Sequence, residues 1–172
     1  RIEVLHSHVG SGVKENSHWA QLFAQLATYA DAIGTVKAIN LGGGLSVPYK
    51  DQEHEFDVAG LEHALLESKA QWPHYAVWME PGRFMVAQSG VLLTKVSQVV
   101  IKMGVYRIGL DAGMNALMRP ALYEAKHRIV NISRVAETVN KRFDVVGPIC
   151  ESTDVLARHI LLPEFTHEND VM

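Results

Sequence analysis

The sequence predicts a chain in two parts, an α/β unit over residues 1–89 followed by a mostly β unit over residues 90–172. Three observations carry this. Strand-like apolar runs alternate with helical patterns up to about Ser89-Gly90; each early run ends in polar or glycine-rich residues; and beyond Gly90 the strand-like runs lie closer together. Strand, helix, strand, helix, strand is the rhythm of a parallel β/α layer, in which helices supply the crossovers.

The first strand is expected at Ile2 to Leu5. Trp19, Leu22, Phe23, Leu26, Tyr29, Ala30 and Ile33 then recur at spacings of three and four, which predicts a helix with Asn16 or Ser17 as cap and Gly34 as stop. A second strand follows at Val36 to Leu41, and a weaker helix after Asp57, with Leu61, Ala64 and Leu65 on one face. Tyr75 to Met79 is the third strand; Trp19 and Trp72 fit helix faces as core. In the second part "VLLTKVSQVVIK", "VYRIGLDAG", "HRIVNISRV" and "RFDVVGP" read as strands, with a short helix around Ala116 to Tyr123. No repeat or low-complexity tract is present.

Composition sets the outer bounds. A chain of 172 residues, 48% hydrophobic and 20% charged, holds enough apolar material for a sizeable core. No apolar run approaches the ~20 residues of a membrane span. The net charge of −3, with lysine and arginine scattered, gives no footprint for nucleic acid or an anionic membrane. The single cysteine, Cys150, excludes an intrachain disulfide framework and fits a reducing, cytoplasmic setting. The chain opens at Arg1 without methionine or a signal-peptide pattern, so a piece of a longer protein is expected.

The chemistry gathers at strand ends: "HSHVGSG" after the first, Gly42-Gly43-Gly44 after the second, and "EPGR" (Glu80 to Arg83) after the third. In parallel β/α folds these ends face one rim, where active sites sit. Two glycine-rich turns suit a phosphate, because glycine lets backbone N–H groups approach an anion closely, and Arg83 can add a bidentate contact. A histidine and a carboxylate on the same rim suit a flat heteroaromatic ring. Blander readings stand beside these. Gly42 to Gly44 can be a tight turn, Glu80 a helix cap. His6 and His8 can form a His-x-His metal pair, although no third ligand is evident and no metal is expected. Arg119 with Tyr123 can be a surface pair, and Cys150 a small buried hydrophobe. His18, His54, His74, His127, His159 and His167 carry no motif.

In this order, "HSHVGSG", "GGG", "EPGR", "DAGMNALMRPALY" and "GPICES" closely resemble the pyridoxal-phosphate-dependent diaminopimelate decarboxylases, of the alanine-racemase-like fold. "HVGSGV" and "GGGLSVPY" are also similar to the decarboxylase half of bacterial chains fused to aspartokinase. The resemblance implies that residues 1–89 are the C-terminal part of a TIM (β/α)8 barrel that binds the cofactor. It also implies that residues 90–172 are part of a β-sandwich or β-barrel domain. His8 would stack on the cofactor ring; Ser11, Gly12, Gly42, Gly43, Gly44 and Gly82 would hold its phosphate. Glu80 would pair with the pyridine nitrogen, keeping the ring an electron sink. Arg83 would lie near the phosphate and a substrate carboxylate. Arg119, Tyr123, Glu151 and Ser152 would contact substrate. Cys150 and Glu151 would reach a partner's site in a homodimer, with Cys150 protonating the reacting carbon.

The implied activity is decarboxylation of meso-2,6-diaminopimelate to L-lysine and carbon dioxide. Its distal end carries an ammonium and a carboxylate, which Glu151 and Arg119 can match. The related ornithine and lysine decarboxylases resemble "CD" rather than "CES" here. One departure matters: the family's Schiff-base lysine lies upstream, and none of the lysines at 14, 37, 50, 69, 95, 102, 126 and 141 matches its motif. The segment alone is therefore expected to be inactive, and marginal or oligomeric. The alternatives are a relative acting on ornithine, arginine or carboxynorspermidine, and a non-catalytic half-barrel module.

Overall fold

A computed structural model describes residues 1–49 and 53–172, so Lys50 lies outside the described residues. The polypeptide forms two compact units, Arg1–Gly90 and Val91–Met172.

In the first unit, β1 (Val4–His6), β2 (Ala38–Asn40) and β3 (Ala76–Trp78) form a parallel sheet in that order. α1 (Ser17–Ile33) and α2 (Val58–Lys69) are the crossovers, and a short α3 (Gly82–Val86) follows β3. Register aligns Leu5, Ile39 and Val77 across the sheet. Alternation puts this row on one face, where Ile39 is fully buried in a core with Trp19, Phe23, Ala27 and Ala30 of α1. Fully burying a side chain the size of Ile39 or Phe23 contributes about 1.5–3 kcal/mol. β2 and β3 fall inside the expected runs, while β1 starts two residues later than expected and ends one residue later, at His6.

The helix ends follow local chemistry. Gly34 closes α1 with its N–H on Ala30 O at 2.9 Å. Asn16 is the N-cap residue but makes no side-chain cap bond; its amide donates instead to Asp57. Asp57 caps α2 by accepting from Gly60 N at 2.9 Å. Trp72 is only partly buried, and its indole donates to Asp31 at 2.9 Å.

The second unit is a four-stranded sheet, β4 (Val96–Lys102), β5 (Val105–Leu110), β6 (Val139–Val146) and β7 (Val155–Pro163), in that order. β4 and β5 are joined by a two-residue turn, Met103-Gly104, with φ of 53° and 77°. Positive φ at both positions is what a tight hairpin requires, and glycine supplies it at the second. β5 and β6 run parallel, so the chain between them, carrying α4 (Arg119–Tyr123), must cross over. Val96, Ile108, Leu110, Phe143, Val145, Leu156, Leu162 and Met172 fill the core.

Two expectations are corrected here. "HRIVNISRV" forms no strand; it holds a single 3-10 turn at Ile132–Arg134. Its polar groups turn to other partners: Asn131, 1% exposed, donates to Thr166 and Asp170, although its Oδ1 accepts no hydrogen bond among the described residues, and Ile132 N donates to Val171 O. β7 was not expected. An extra residue near His159 breaks its alternation, with φ of 53° at His159 and its N–H on Asp144 Oδ1 at 2.9 Å. In addition, β4 begins at Val96, leaving residues 91–94 outside the strand.

Candidate functional site

The strand ends of the first unit meet at one rim because the turn after β2 is wedged between its neighbours. A Cβ at Gly43 would lie 2.1 Å from Glu80 O, and one at Gly44 2.1 Å from Gly10 O. At Gly42, where φ is +65°, it would lie 2.7 Å from His8 Nδ1. Backbone bonds tie the three turns together: Ser7 N to Asn40 O, Glu80 N to Gly42 O, and Gly12 N to Gly44 O. Glycine at 42–44 thus permits the close approach that brings His8, Ser11 and Glu80 to one place.

Two N–H groups of this turn point inward. Gly43 N donates to His8 Nδ1 at 3.2 Å, so that nitrogen presents its lone pair and the imidazole proton belongs on Nε2. Gly42 N donates to Asn40 Oδ1 at 2.9 Å, and Asn40 Nδ2 donates to Glu80 Oε1 at 2.7 Å. His6 Nε2 stands 3.8 Å from Glu80 Oε2. Arg83 donates through its two terminal nitrogens to the Ser11 and Tyr49 hydroxyls.

A cleft of about 190 Å³ opens here, lined among others by His8, Ser11, Gly44, Glu80, Gly82 and Arg83. Gly12, Gly42 and Gly43 do not line it; Gly42 and Gly43 stand behind as spacers, and Gly12 takes a φ of +80° in its turn. The donor set has two ends. One is a guanidinium with a hydroxyl on each terminal nitrogen, suited to an anion; the other is a carboxylate and an imidazole, suited to a ring with a nitrogen donor. These residues fit a phosphorylated pyridine. Sequence reasoning missed two of the participants. Asn40 had a signal, a polar residue closing a strand two positions before three glycines; Tyr49 closes "GGGLSVPY", but nothing in that stretch singles out its hydroxyl. Among the described residues no group of three or more His, Cys, Asp or Glu side chains could hold a metal ion.

In the second unit Cys150, Glu151 and Ser152 lie on the loop between β6 and β7, all exposed. The loop is built on Asp154, 2% exposed, which accepts from Met114 N at 2.6 Å and Ile149 N at 2.8 Å. Glu151 accepts from the hydroxyl and N–H of Ser152, and the Ser152 hydroxyl, followed by its backbone N–H, holds the Glu151 carboxyl below its ordinary value. Cys150, Glu151 and Ser152 share a cleft of about 600 Å³ with Lys102, Arg107 and Arg158. Arg119 lies over the Tyr123 ring at 5.6 Å, and burial, then the Arg119 charge, lowers the pKa of His127. Among the described residues no hydrogen bond or ion pair joins Arg119 to Glu151.

A parallel β/α layer with an anion-and-ring site at its strand ends, followed by a mixed sheet, defines a class of phosphate-bearing cofactor binders. The chain belongs to the pyridoxal-dependent decarboxylases, matching the model of their C-terminal sheet domain over residues 28–172. It is similar to the diaminopimelate decarboxylase of Escherichia coli K12, at 38% identity over 169 residues, covering 90% of this chain and 39% of the relative. The Haemophilus influenzae diaminopimelate decarboxylase is 35% identical, covering 92% of this chain and 39% of the relative. Among solved structures, diaminopimelate decarboxylase from M. jannaschii superposes with a TM-score of 0.86 at 30% identity, over 96% of this chain and 39% of that one. The Helicobacter pylori enzyme complexed with L-lysine gives 0.83 at 32%, over 98% and 42%. The chain thus spans about two fifths of the length of these relatives. No helix among the described residues is long and apolar enough to cross a membrane.

Proposed function

We propose that this chain forms part of a pyridoxal-phosphate-dependent diaminopimelate decarboxylase, a cytoplasmic homodimer of lysine biosynthesis that converts meso-2,6-diaminopimelate to L-lysine and carbon dioxide. One observation carries the reading: an imidazole, a carboxylate and a guanidinium flanked by two hydroxyls stand around the cleft at the strand ends. On this reading β1 to β3 with α1 and α2 belong to the C-terminal side of a (β/α)8 barrel, and residues 90–172 to a β-sandwich or β-barrel domain.

When bound, the cofactor supplies an electron sink for the pair left behind as carbon dioxide departs. The protein's share is positioning and protons. Arg83 and Ser11 bind the phosphate, with Gly44 and Gly82 giving it room, while Gly12, Gly42 and Gly43 let the surrounding turns close. His8, held by Gly43 N, lies against the ring face, and Glu80 accepts the ring nitrogen's proton-bearing N–H. Cys150 holds at Sγ the proton that replaces the lost carboxylate, and Glu151, kept anionic by Ser152, takes the distal ammonium. Arg119, beside Tyr123, meets the distal carboxylate. Cys150 and Glu151 act from the partner subunit's copy of the loop.

The test is a cofactor titration of the full-length protein, with carbon dioxide release from meso-diaminopimelate, L-lysine and L-ornithine compared. Saturable binding and preference for diaminopimelate are expected. Preference for ornithine moves the assignment to a related decarboxylase, and absence of binding removes it.

A further inference from the structure

The hydrogen bonds behind Glu80 have a direction that the chemistry of the donors fixes. A backbone N–H can only donate, so the Asn40 atom 2.9 Å from Gly42 N is its carbonyl oxygen. That choice turns the Asn40 NH₂ toward Glu80, at 2.7 Å. An amide NH₂ can only donate as well, so Glu80 Oε1 must accept. A proton on Oε1 would face the Asn40 N–H with nothing to receive it. The chain Gly42 N–H to Asn40 to Glu80 therefore fixes Oε1 as an acceptor and sets the orientation of the Glu80 carboxyl group, whose Oε2 lies 3.8 Å from His6 Nε2.

We propose that Asn40 is a positioning residue that holds the Glu80 carboxylate where it meets a ring nitrogen bearing a proton. The inference rests on the pyridoxal-phosphate reading and deepens it: the contact of Glu80 with the ring nitrogen depends on a side chain that does not itself line the cleft. The turn that spaces the rim acts, through one side chain, on the orientation of the Glu80 carboxylate. Glycine at 42 serves both ends of this arrangement, since its N–H orients Asn40 and its missing side chain leaves room for His8.

The experiment uses the full-length protein and two ligands, pyridoxal phosphate and its carbon analogue with CH in place of the ring nitrogen. Every contact away from that atom is common to both and cancels in the ratio of their dissociation constants. The unaltered protein is expected to prefer the pyridine by about tenfold or more, the worth of a hydrogen bond to a charged group. Asn40→Leu should bring the ratio to within about threefold while the analogue's own affinity moves by less than about threefold. Asn40→Asp, which still accepts from Gly42 N but gives Glu80 no N–H, should follow Asn40→Leu when measured well above the carboxylate range. If Asn40 only fills space and ties down the turn, the isosteric Asn40→Asp keeps the full preference, and that result overturns the proposal. Retention of the preference in Asn40→Leu does the same. Failure of the unaltered protein to bind either ligand is a different result, which overturns the cofactor reading itself and the inference with it.

Discussion

Gly43 has no space for a methyl group: a Cβ there would stand 2.1 Å from a backbone oxygen, which cannot swing aside as a side chain can. Gly43→Ala should therefore push the turns after β2 and β3 apart, lowering cofactor affinity at least about tenfold and stability by about 1–3 kcal/mol; a ligand titration and a urea melt measure the two. A milder change acts on Glu151. Removing the Ser152 hydroxyl, the largest cause of its lowered pKa, should move its titration to higher pH in Ser152→Ala, observed by carboxylate NMR. At this scale the sequence is legible where chemistry is loud. His8, Glu80 and Arg83 stand out because ionisable groups follow strand ends beside glycines. Asn40 is quiet, since its importance lies in which way its amide faces, a property set by Gly42 two residues on and Glu80 forty residues on. Tyr49 reaches Arg83 only through the path of its loop.

Among the elements, caps and crossovers behave as their residues dictate. Asp57 gives α2 its start, and Asp57→Ala should cost about 1 kcal/mol, seen as a lower urea midpoint with an unchanged slope. The helix has a narrow apolar face, with Leu61 its one buried residue, so a cap is a larger share of what defines it. The two misread segments show where local pattern fails. "HRIVNISRV" is rich enough in β-branched residues to read as a strand, but Asn131 is drawn inward by Thr166 and Asp170, and the backbone bonds to the chain's last residues instead of a ladder. "VLARHILLP" is a strand whose period is hidden by one extra residue at His159, tolerated because Asp144 accepts the displaced N–H. Both outcomes depend on partners far along the chain, which periodicity cannot supply.

At the scale of the whole molecule, charge and open edges set the behaviour. Burial disfavours the charge on Asp170, but hydrogen bonds from Asn131, His167 N and Arg134 outweigh it, so its carboxyl titrates below its ordinary value. A depressed carboxyl stabilises the fold above the ordinary range near pH ~3.9, and that contribution is lost as pH falls through the lowered value. The stability gap between the native chain and Asp170→Asn should accordingly narrow in acid, a prediction that urea midpoints across pH decide. In the first unit, among the described residues, β1 and β3 each pair on one side only, and Trp78 is 51% exposed on the face away from the helices. Residues 1–172 produced alone should self-associate through these edges, and a monodisperse monomer in sedimentation would count against it. The parallel seam between β5 and β6 has a kinetic meaning. The hairpins β4–β5 and β6–β7 close from neighbouring residues, whereas the seam joins residues 107–109 to 144–146 and must wait for the intervening chain to be gathered in. The two halves of the sheet should acquire amide protection first and fuse last, so the refolding rate of this unit is set by one long closure.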